Sequence, residues 1–351
     1  MIREDNNGAS NVVNESSSLE FVSFLGKGGF GSVALMRDSK YQLYAEKSSP
    51  MDFKKSLEKE HRIMLRFRNH PRIVQTTSPN IHIGFNLDRC YINMEFASKG
   101  TLHNVNSQFR GRPMPEFMVG RAALMILQGL KALHSRGYVH CDLKPANVLL
   151  FPSETFGEPW DLKLADFGLS KEPGSDYRSS LSGGTPQYMP PESLGPNGAK
   201  KVGPAVDMWS LGCVVLQMFG GCPEKRRGCY AWRLPISAGL GGGDNGCDRP
   251  GSNLMAHQND EPALLPILVS PVANDFLRRC MAFQPSCRAT AGDLLKHPFV
   301  VALQSGPMMM KMAPPRPDQM LRYCPPPVRR QIGPVMMKMM MAPPRPGDLI
   351  C

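Results

Sequence analysis

Long apolar runs are missing from this sequence. No stretch reaches the roughly 18 to 20 residues that a membrane-crossing helix requires. The opening stretch, Met1–Ser18, is polar, carries charges of both signs and contains no apolar core of the kind a secretory leader has. A soluble, intracellular protein is expected, in the cytoplasm, the nucleus or both, with no membrane partner; Lys225-Arg226-Arg227 is too short to serve as a nuclear address. Regular cysteine spacing is missing as well. The ten cysteines are scattered, and Cys90, Cys213 and Cys280 sit inside apolar runs, so neither a disulfide framework nor a metal knuckle is expected. Cys222, Cys229 and Cys247 have irregular spacing and no histidine partners. Acidic residues are short relative to basic ones, 30 against 41, for a net charge of +11. A basic surface is suited to phosphate backbones, yet much of the excess lies in the tail. There Lys311, Arg316, Arg322, Arg329, Arg330, Lys338 and Arg345 face only Asp318 and Asp348, without interleaved aromatics. A solvated basic tail is the expectation, and no nucleic-acid partner.

What is present is enough apolar sequence, 42% of 351 residues, to bury a sizeable core. Strand-like and helix-like patterns alternate without a long low-complexity break over 19–302, between a polar flank (1–18) and a tail (303–351) that repeats a Met/Pro-rich segment from Gly306 and from Gly333. Two short copies do not make a solenoid. Their proline density favours extended, disordered chain, with Pro314–Pro317 as a docking segment for a partner's aromatic groove. Gly239–Gly251 reads as a surface loop.

Period and punctuation predict strands at Phe21–Leu25, Ser32–Met36, Tyr41–Lys47 and Cys90–Phe96. Helices are predicted over Met51–Phe67, with Ser49 near its start, and over Pro115–Ser135, ended by Gly137. Val206–Phe219 is apolar nearly all round and reads as a buried helix. Strands come first and helices dominate later. The fold class is therefore α+β, a small β-rich lobe (19–97) followed by a larger helical one (98–302).

The chemistry begins at Gly26-Lys27-Gly28-Gly29-Phe30-Gly31-Ser32-Val33, whose glycines let backbone amides approach phosphate oxygens. The same spacing serves dinucleotide folds, but those need a helix directly after the loop, and here Val33-Ala34-Leu35 continues as a strand. Lys47 ends an apolar strand. Such a lysine is usually solvated, but a carboxylate on the following helix would fix it against phosphates. Glu58 and Glu60 compete for that role; Glu60 precedes Ile63-Met64-Leu65, which favours a core-facing position. The densest signal is His140-Cys141-Asp142-Leu143-Lys144-Pro145-Ala146-Asn147, followed by Asp166-Phe167-Gly168. A carboxylate to orient a hydroxyl, a lysine to offset phosphoryl charge, and an amide and a second carboxylate to hold Mg²⁺ all occur in one order.

On these motifs the chain, from about Leu19 to Val301, resembles eukaryotic serine/threonine protein kinases. The resemblance implies transfer of the γ-phosphoryl of Mg-ATP, with Asp142 as catalytic base, Lys144 as phosphate-stabilising cation, Asn147 and Asp166 as Mg²⁺ ligands, and Lys47 with Glu60 positioning ATP. It implies an adenine pocket of Leu25, Val33, Ala45 and Leu149, with Met94 as gatekeeper and Glu95–Ala97 as hinge. Glu192 of Pro190-Pro191-Glu192 would pair with Arg288, and Asp207 would brace the catalytic loop. Lys144 with Gly184-Thr185-Pro186 accompanies serine/threonine specificity in similar kinases; dual specificity is the lesser alternative. The segment Gly137–Asp142, the short flank, and Arg288–Ala291 with Leu294–Phe299 are similar to compact plant mitogen-activated protein kinase kinase kinases, which implies a downstream kinase as protein substrate. Cys141 departs from the family, standing where an arginine usually binds an activation-loop phosphate. Activity is thus expected to depend less on phosphorylation of Ser179, Ser180, Ser182 or Thr185. The segment 220–253 is longer than the family's connection there. A pseudokinase scaffold with the same fold stays open as the alternative, since filled catalytic positions do not by themselves demonstrate turnover.

Overall fold

Glycine punctuation and strand alternation build the first lobe. In a computed structural model, residues 19–153, 158–174, 183–193, 202–226, 229–233, 253–254 and 269–301 are described. β1 (Glu20–Gly28) and β2 (Gly31–Arg37) form an antiparallel hairpin closed by Gly28 opposite Gly31. β3 (Leu43–Pro50), β4 (His82–Ile83) and β5 (Arg89–Glu95) complete a five-stranded sheet in the order β1-β2-β3-β5-β4. Along β5, Cys90, Ile92 and Met94 alternate inward and are buried. They face α1 (Lys54–Arg66), whose Leu57, Ile63 and Met64 are also buried. This helix starts later than the sequence predicts. Ser49 is not at its start but buried in β3, which runs on until Pro50 pairs with Arg89, and a 3₁₀ turn over Met51–Phe53 intervenes.

The second lobe is helical. α2 (Leu102–Phe109), which the sequence reading does not include, is opened by a capping box between Thr101 and Asn104. α3 (Glu116–His134) runs through the lobe. A Cβ at its Gly129 would come within 3.0 Å of the Arg72 carbonyl and 2.8 Å of Leu164, so the glycine permits close packing against the neighbouring strand. Gly137, at φ +77°, ends the turn after α3 as expected. β6 (Val148–Phe151) and β7 (Asp161–Leu164) form a two-stranded ribbon. α4 (Pro204–Met218) is buried on nearly every side, in agreement with its apolar sequence. β8 (Cys222–Arg226), β9 (Cys229–Arg233) and β10 (Asn253–Leu254) pair in the order β10-β9-β8, where the sequence shows only an unusually long connection. α5 (Pro271–Cys280), α6 (Ala291–Leu294) and α7 (Pro298–Val301) close the lobe.

One apolar cluster runs through both lobes, from Ala45 and Ile92 through Leu127 and Leu164 to Leu211 and Phe276. Each fully buried Leu, Ile or Phe in it contributes about 1.5–3 kcal/mol of burial free energy. Among the described residues, no helix is long and apolar enough to cross a membrane, and no group of three or more His, Cys, Asp or Glu side chains has metal-binding geometry. Residues 1–18, the Gly239–Gly251 segment and the repeated tail lie outside the described residues.

Candidate functional site

The cleft between the lobes is organised by one ammonium. Lys47, central in the sheet between β2 and β5, places its Nζ 2.6 Å from Glu60 Oε2 and 2.8 Å from Asp166 Oδ1. Helical phase decides between the two glutamates. Glu60 lies on the buried face of α1 with Leu57 and Met64, whereas Glu58 pairs with Lys54 at 3.6 Å along the exposed face. Burial works against the Lys47 charge, but Glu60 and Asp166 outweigh it and hold the ammonium well above its usual range. The Asp166 carboxyl is likewise opposed by burial and is held below its usual range by Lys47. Burial pushes the Glu60 carboxyl upward against the pull of Lys47; the direct 2.6 Å contact supports the ionised pair. Ser56 of α1 donates to the Gly168 carbonyl at 3.0 Å, a second tie between α1 and the segment after Asp166.

The loop after α3 is held by one buried carboxylate. Asp207, on α4 and fully buried, accepts the backbone N–H groups of His140 (2.8 Å) and Cys141 (2.9 Å) and His134 Nε2 (2.8 Å). These bonds, led by His134, outweigh burial and lower its carboxyl below the ordinary range. Cys141 adopts φ +67° and Asp166 φ +66°, left-handed conformations that non-glycine residues rarely take. His140 Nε2 donates to the Ala165 carbonyl (3.1 Å), and its ring lies 5.3 Å from the fully buried Phe167.

Around Asp142 the hydrogen bonds form a closed set. Lys144 Nζ donates to Asp142 Oδ2 (2.7 Å) and Thr185 Oγ1 (2.8 Å), and the Thr185 hydroxyl donates to Asp142 Oδ1 (2.9 Å). Asn147 Nδ2 donates to the Asp142 carbonyl (2.8 Å) and to Oδ2 (3.1 Å). The Asn147 carbonyl in turn accepts from Ala165 N at 3.0 Å, which brings the amide and Asp166 to the same side of the cleft. A carboxylate and an amide are hard oxygen donors of the kind Mg²⁺ takes, so the residues fit that ion.

Above this set, a Cβ at Gly26, Gly28 or Gly29 would meet nothing within 4 Å, so these glycines border open space in the cleft. Gly31 differs, because there a Cβ would run into the Ser48 carbonyl. Phe30 at the loop tip packs edge-on against Phe53, centroids 5.4 Å apart. Ala45 and Met94 are buried cross-strand partners, and Val33, Ala97 and Leu149 pack against the same cluster, while Leu25 at the rim is exposed. Ser179, Ser180 and Ser182 lie outside the described residues.

Sequence reasoning missed several members. His134, Ser56 and the Lys163–Glu95 pair carry no local signal. The Thr101–Asn104 cap before Leu102, Val105 and Phe109 was a readable start signal for α2.

A two-lobed α+β fold with a nucleotide cleft roofed by a glycine-rich hairpin, and with Lys47, Asp142, Asn147 and Asp166 converging on it, defines an ATP-dependent phosphotransferase. The protein kinase domain family matches residues 19–300, and the chain belongs to that family; it is a protein serine/threonine kinase. It is 31% identical, over 79% of its length, to mitogen-activated protein kinase kinase kinase 20 of Arabidopsis thaliana, covering 76% of that protein. It is 33% identical over 79% of its length to the cytokinesis protein sepH of Aspergillus terreus, of which it spans 18%. It is 30% identical over 80% of its length to the serine/threonine-protein kinase PAK 4 of Homo sapiens, of which it spans 42%.

Proposed function

We propose that the chain transfers the γ-phosphoryl of Mg-ATP to serine and threonine hydroxyls of another kinase, as a mitogen-activated protein kinase kinase kinase. The observation that carries this is the assembled pair of clusters: Lys47 on Glu60 and Asp166, and Asp142 with Lys144, Asn147 and Thr185.

In this reading Asp142 accepts the proton of the attacking hydroxyl, and Lys144, 2.7 Å away, is aimed at the oxygens of the transferring group. Lys47, locked by Glu60, positions the ATP phosphates, and the backbone of Gly26–Gly31 with Lys27 and Phe30 covers them. The base lies among Leu25, Val33, Ala45 and Leu149, with Met94 behind it and the 95–97 backbone beside it. Asn147 and Asp166 would hold Mg²⁺, which when bound neutralises phosphate charge. Thr185 orients Asp142 and Lys144 together.

The cascade role is supported by the likeness to the Arabidopsis kinase over most of both chains. A reducing, intracellular setting suits the free thiols of Cys90, Cys141, Cys280 and Cys287, and the tail is assigned to docking the substrate kinase. The test is transfer of labelled phosphate from Mg-ATP to a catalytically dead downstream kinase, with Asp142→Asn and tail-deleted (303–351) proteins alongside. The reading expects serine or threonine labelling that Asp142→Asn abolishes, with tail deletion weakening the substrate kinase but not a generic basic peptide. Labelling of the peptide but never of the kinase would overturn the cascade role.

A further inference from the structure

Behind the adenine side of the cleft, away from the catalytic clusters, a second charged assembly joins the lobes. Lys163 of β7 donates to both carboxylate oxygens of Glu95, at 2.6 Å (Oε2) and 2.8 Å (Oε1). Glu95 Oε1 also accepts the Gln75 backbone N–H at 2.8 Å, while the Glu95 N–H donates to the Gln75 carbonyl at 3.0 Å. Gln75 is itself fastened, its Nε2 donating to the Ile73 carbonyl at 2.6 Å. The Lys163 ammonium lies 4.6 Å over the Phe151 ring, and Lys163 is the ladder partner of Leu149. On the same face of β7, two residues earlier, Asp161 pairs with Arg72 at 2.5 Å. The connection after α1 and the end of β5 are thus both bound by charge to β7.

Glu95 is where the sheet of the first lobe ends and the hinge begins, and Leu149 is in the strand beneath the base. One ammonium therefore sets the position of the hinge beside the base relative to the strand beneath it. Both partners are more than two-thirds buried, with side-chain exposures of 18% for Lys163 and 25% for Glu95, so the bonds are charge-assisted and only partly screened. A solvated surface pair would not need a backbone N–H as a third partner on the same carboxylate.

We propose that Lys163 is a positioning residue for nucleotide binding: through Glu95 it fixes the hinge backbone against the β6–β7 ribbon and thereby sets affinity for ATP. This rests on the reading that the base lies beside the hinge and against Leu149.

The test measures binding of a fluorescent ATP analogue, KM for ATP and kcat on a generic basic peptide, for Lys163→Met, Lys163→Arg, Glu95→Gln and Leu149→Ala. Lys163→Met and Glu95→Gln are expected to weaken nucleotide binding and raise KM by about tenfold, as loss of a charge-assisted pair does, with kcat nearly unchanged. Lys163→Arg keeps the charge and retains most of the affinity. The Lys163→Met/Glu95→Gln double variant is no weaker than the worse single one, because both remove one interaction. If Lys163→Met does not fold, the near-isosteric Glu95→Gln carries the same readout. Unchanged affinity with a lower melting temperature makes the pair merely structural and overturns the proposal. A raised kcat at unchanged affinity means that it restrains turnover, which also overturns it. Leu149→Ala separates the two levels: if it too leaves binding unchanged, the placement of the base is wrong, whereas weaker binding there with none in Lys163→Met rejects the strut alone.

Discussion

Arg288 meets Glu192 through two parallel hydrogen bonds, Nη1 to Oε1 at 2.7 Å and Nη2 to Oε2 at 2.8 Å. The remaining N–H groups of the guanidinium reach the carbonyls of Ala282 (2.8 Å), Ala205 (3.0 Å) and Phe283 (3.1 Å), and its plane lies 4.9 Å over the Trp209 ring. The side chain is wholly buried. All five donors are used, across three separate segments.

Arg288→Ala is therefore expected to destabilise the helical lobe by about 3–5 kcal/mol, because it strands a partly buried carboxylate and three carbonyls. Arg288→Lys should recover little of this, since an ammonium cannot make the forked contact. Denaturant melts measure both, and a loss under about 1 kcal/mol for the alanine variant would show that these contacts are replaced by water.

Asp207 gives a pH dependence. Its carboxyl is held below the ordinary range in the folded state, so its contribution to stability is fully present above the unfolded carboxylate pKa and is lost as pH falls through the folded one. The stability of the wild-type protein should thus fall on acidification below the carboxylate range. Asp207→Asn should be less stable at neutral pH and show a shallower acid slope. Equal slopes in melts across pH 3 to 7 would assign the acid sensitivity elsewhere.

Thr185 is expected to act through orientation. Thr185→Ala removes the hydroxyl that joins Lys144 to Asp142 and should lower kcat by about a hundredfold with little change in KM for ATP. Thr185→Ser should restore most of the rate. If serine fails where alanine fails, the methyl group and not the hydroxyl is what matters.

Cys141 should make the enzyme tolerant of phosphatase. Its side chain is buried with Val139, Val202 and Val206, and burial pushes its thiol well up. It offers a phosphate nothing to bind and an alkylating agent little to attack. Phosphatase treatment is expected to lower turnover less than in kinases that carry an arginine there, and iodoacetamide should leave Cys141 unmodified in the folded protein. A large loss on dephosphorylation would mean that other basic groups receive the phosphate.

Much of the cleft was legible because its chemistry is written in contiguous runs. The order from Asp142 to Asn147 and the Asp166-Phe167-Gly168 turn place four functional groups with no tertiary information. Glu60 was readable from helical phase, since a carboxylate in register with Leu57 and Met64 has to be buried. The buried character of α4 followed from its lack of a polar face. What stayed hidden are pairings between single charged residues far apart in the chain, such as Lys163 with Glu95, Arg62 with Glu172 (2.9 Å) and His134 with Asp207. Lys163, Arg62 and His134 each lie on an element where a lone polar residue most simply faces solvent, and nothing local says otherwise. The strands β8 to β10 were hidden for another reason: glycine and cysteine around them dilute the alternation that marks a strand.

Met94 offers a practical handle on the substrate question. It is 6% exposed, opposite Ala45 in the sheet and bridged to Thr76, and on the proposed placement of the base its side chain is the wall that limits how deep a base can enter. Shortened to glycine, it would leave a notch that natural ATP does not fill and that an N6-enlarged ATP does. An enzyme re-cut in this way would accept a nucleotide that other kinases exclude, and the proteins it tagged in an extract would be its own.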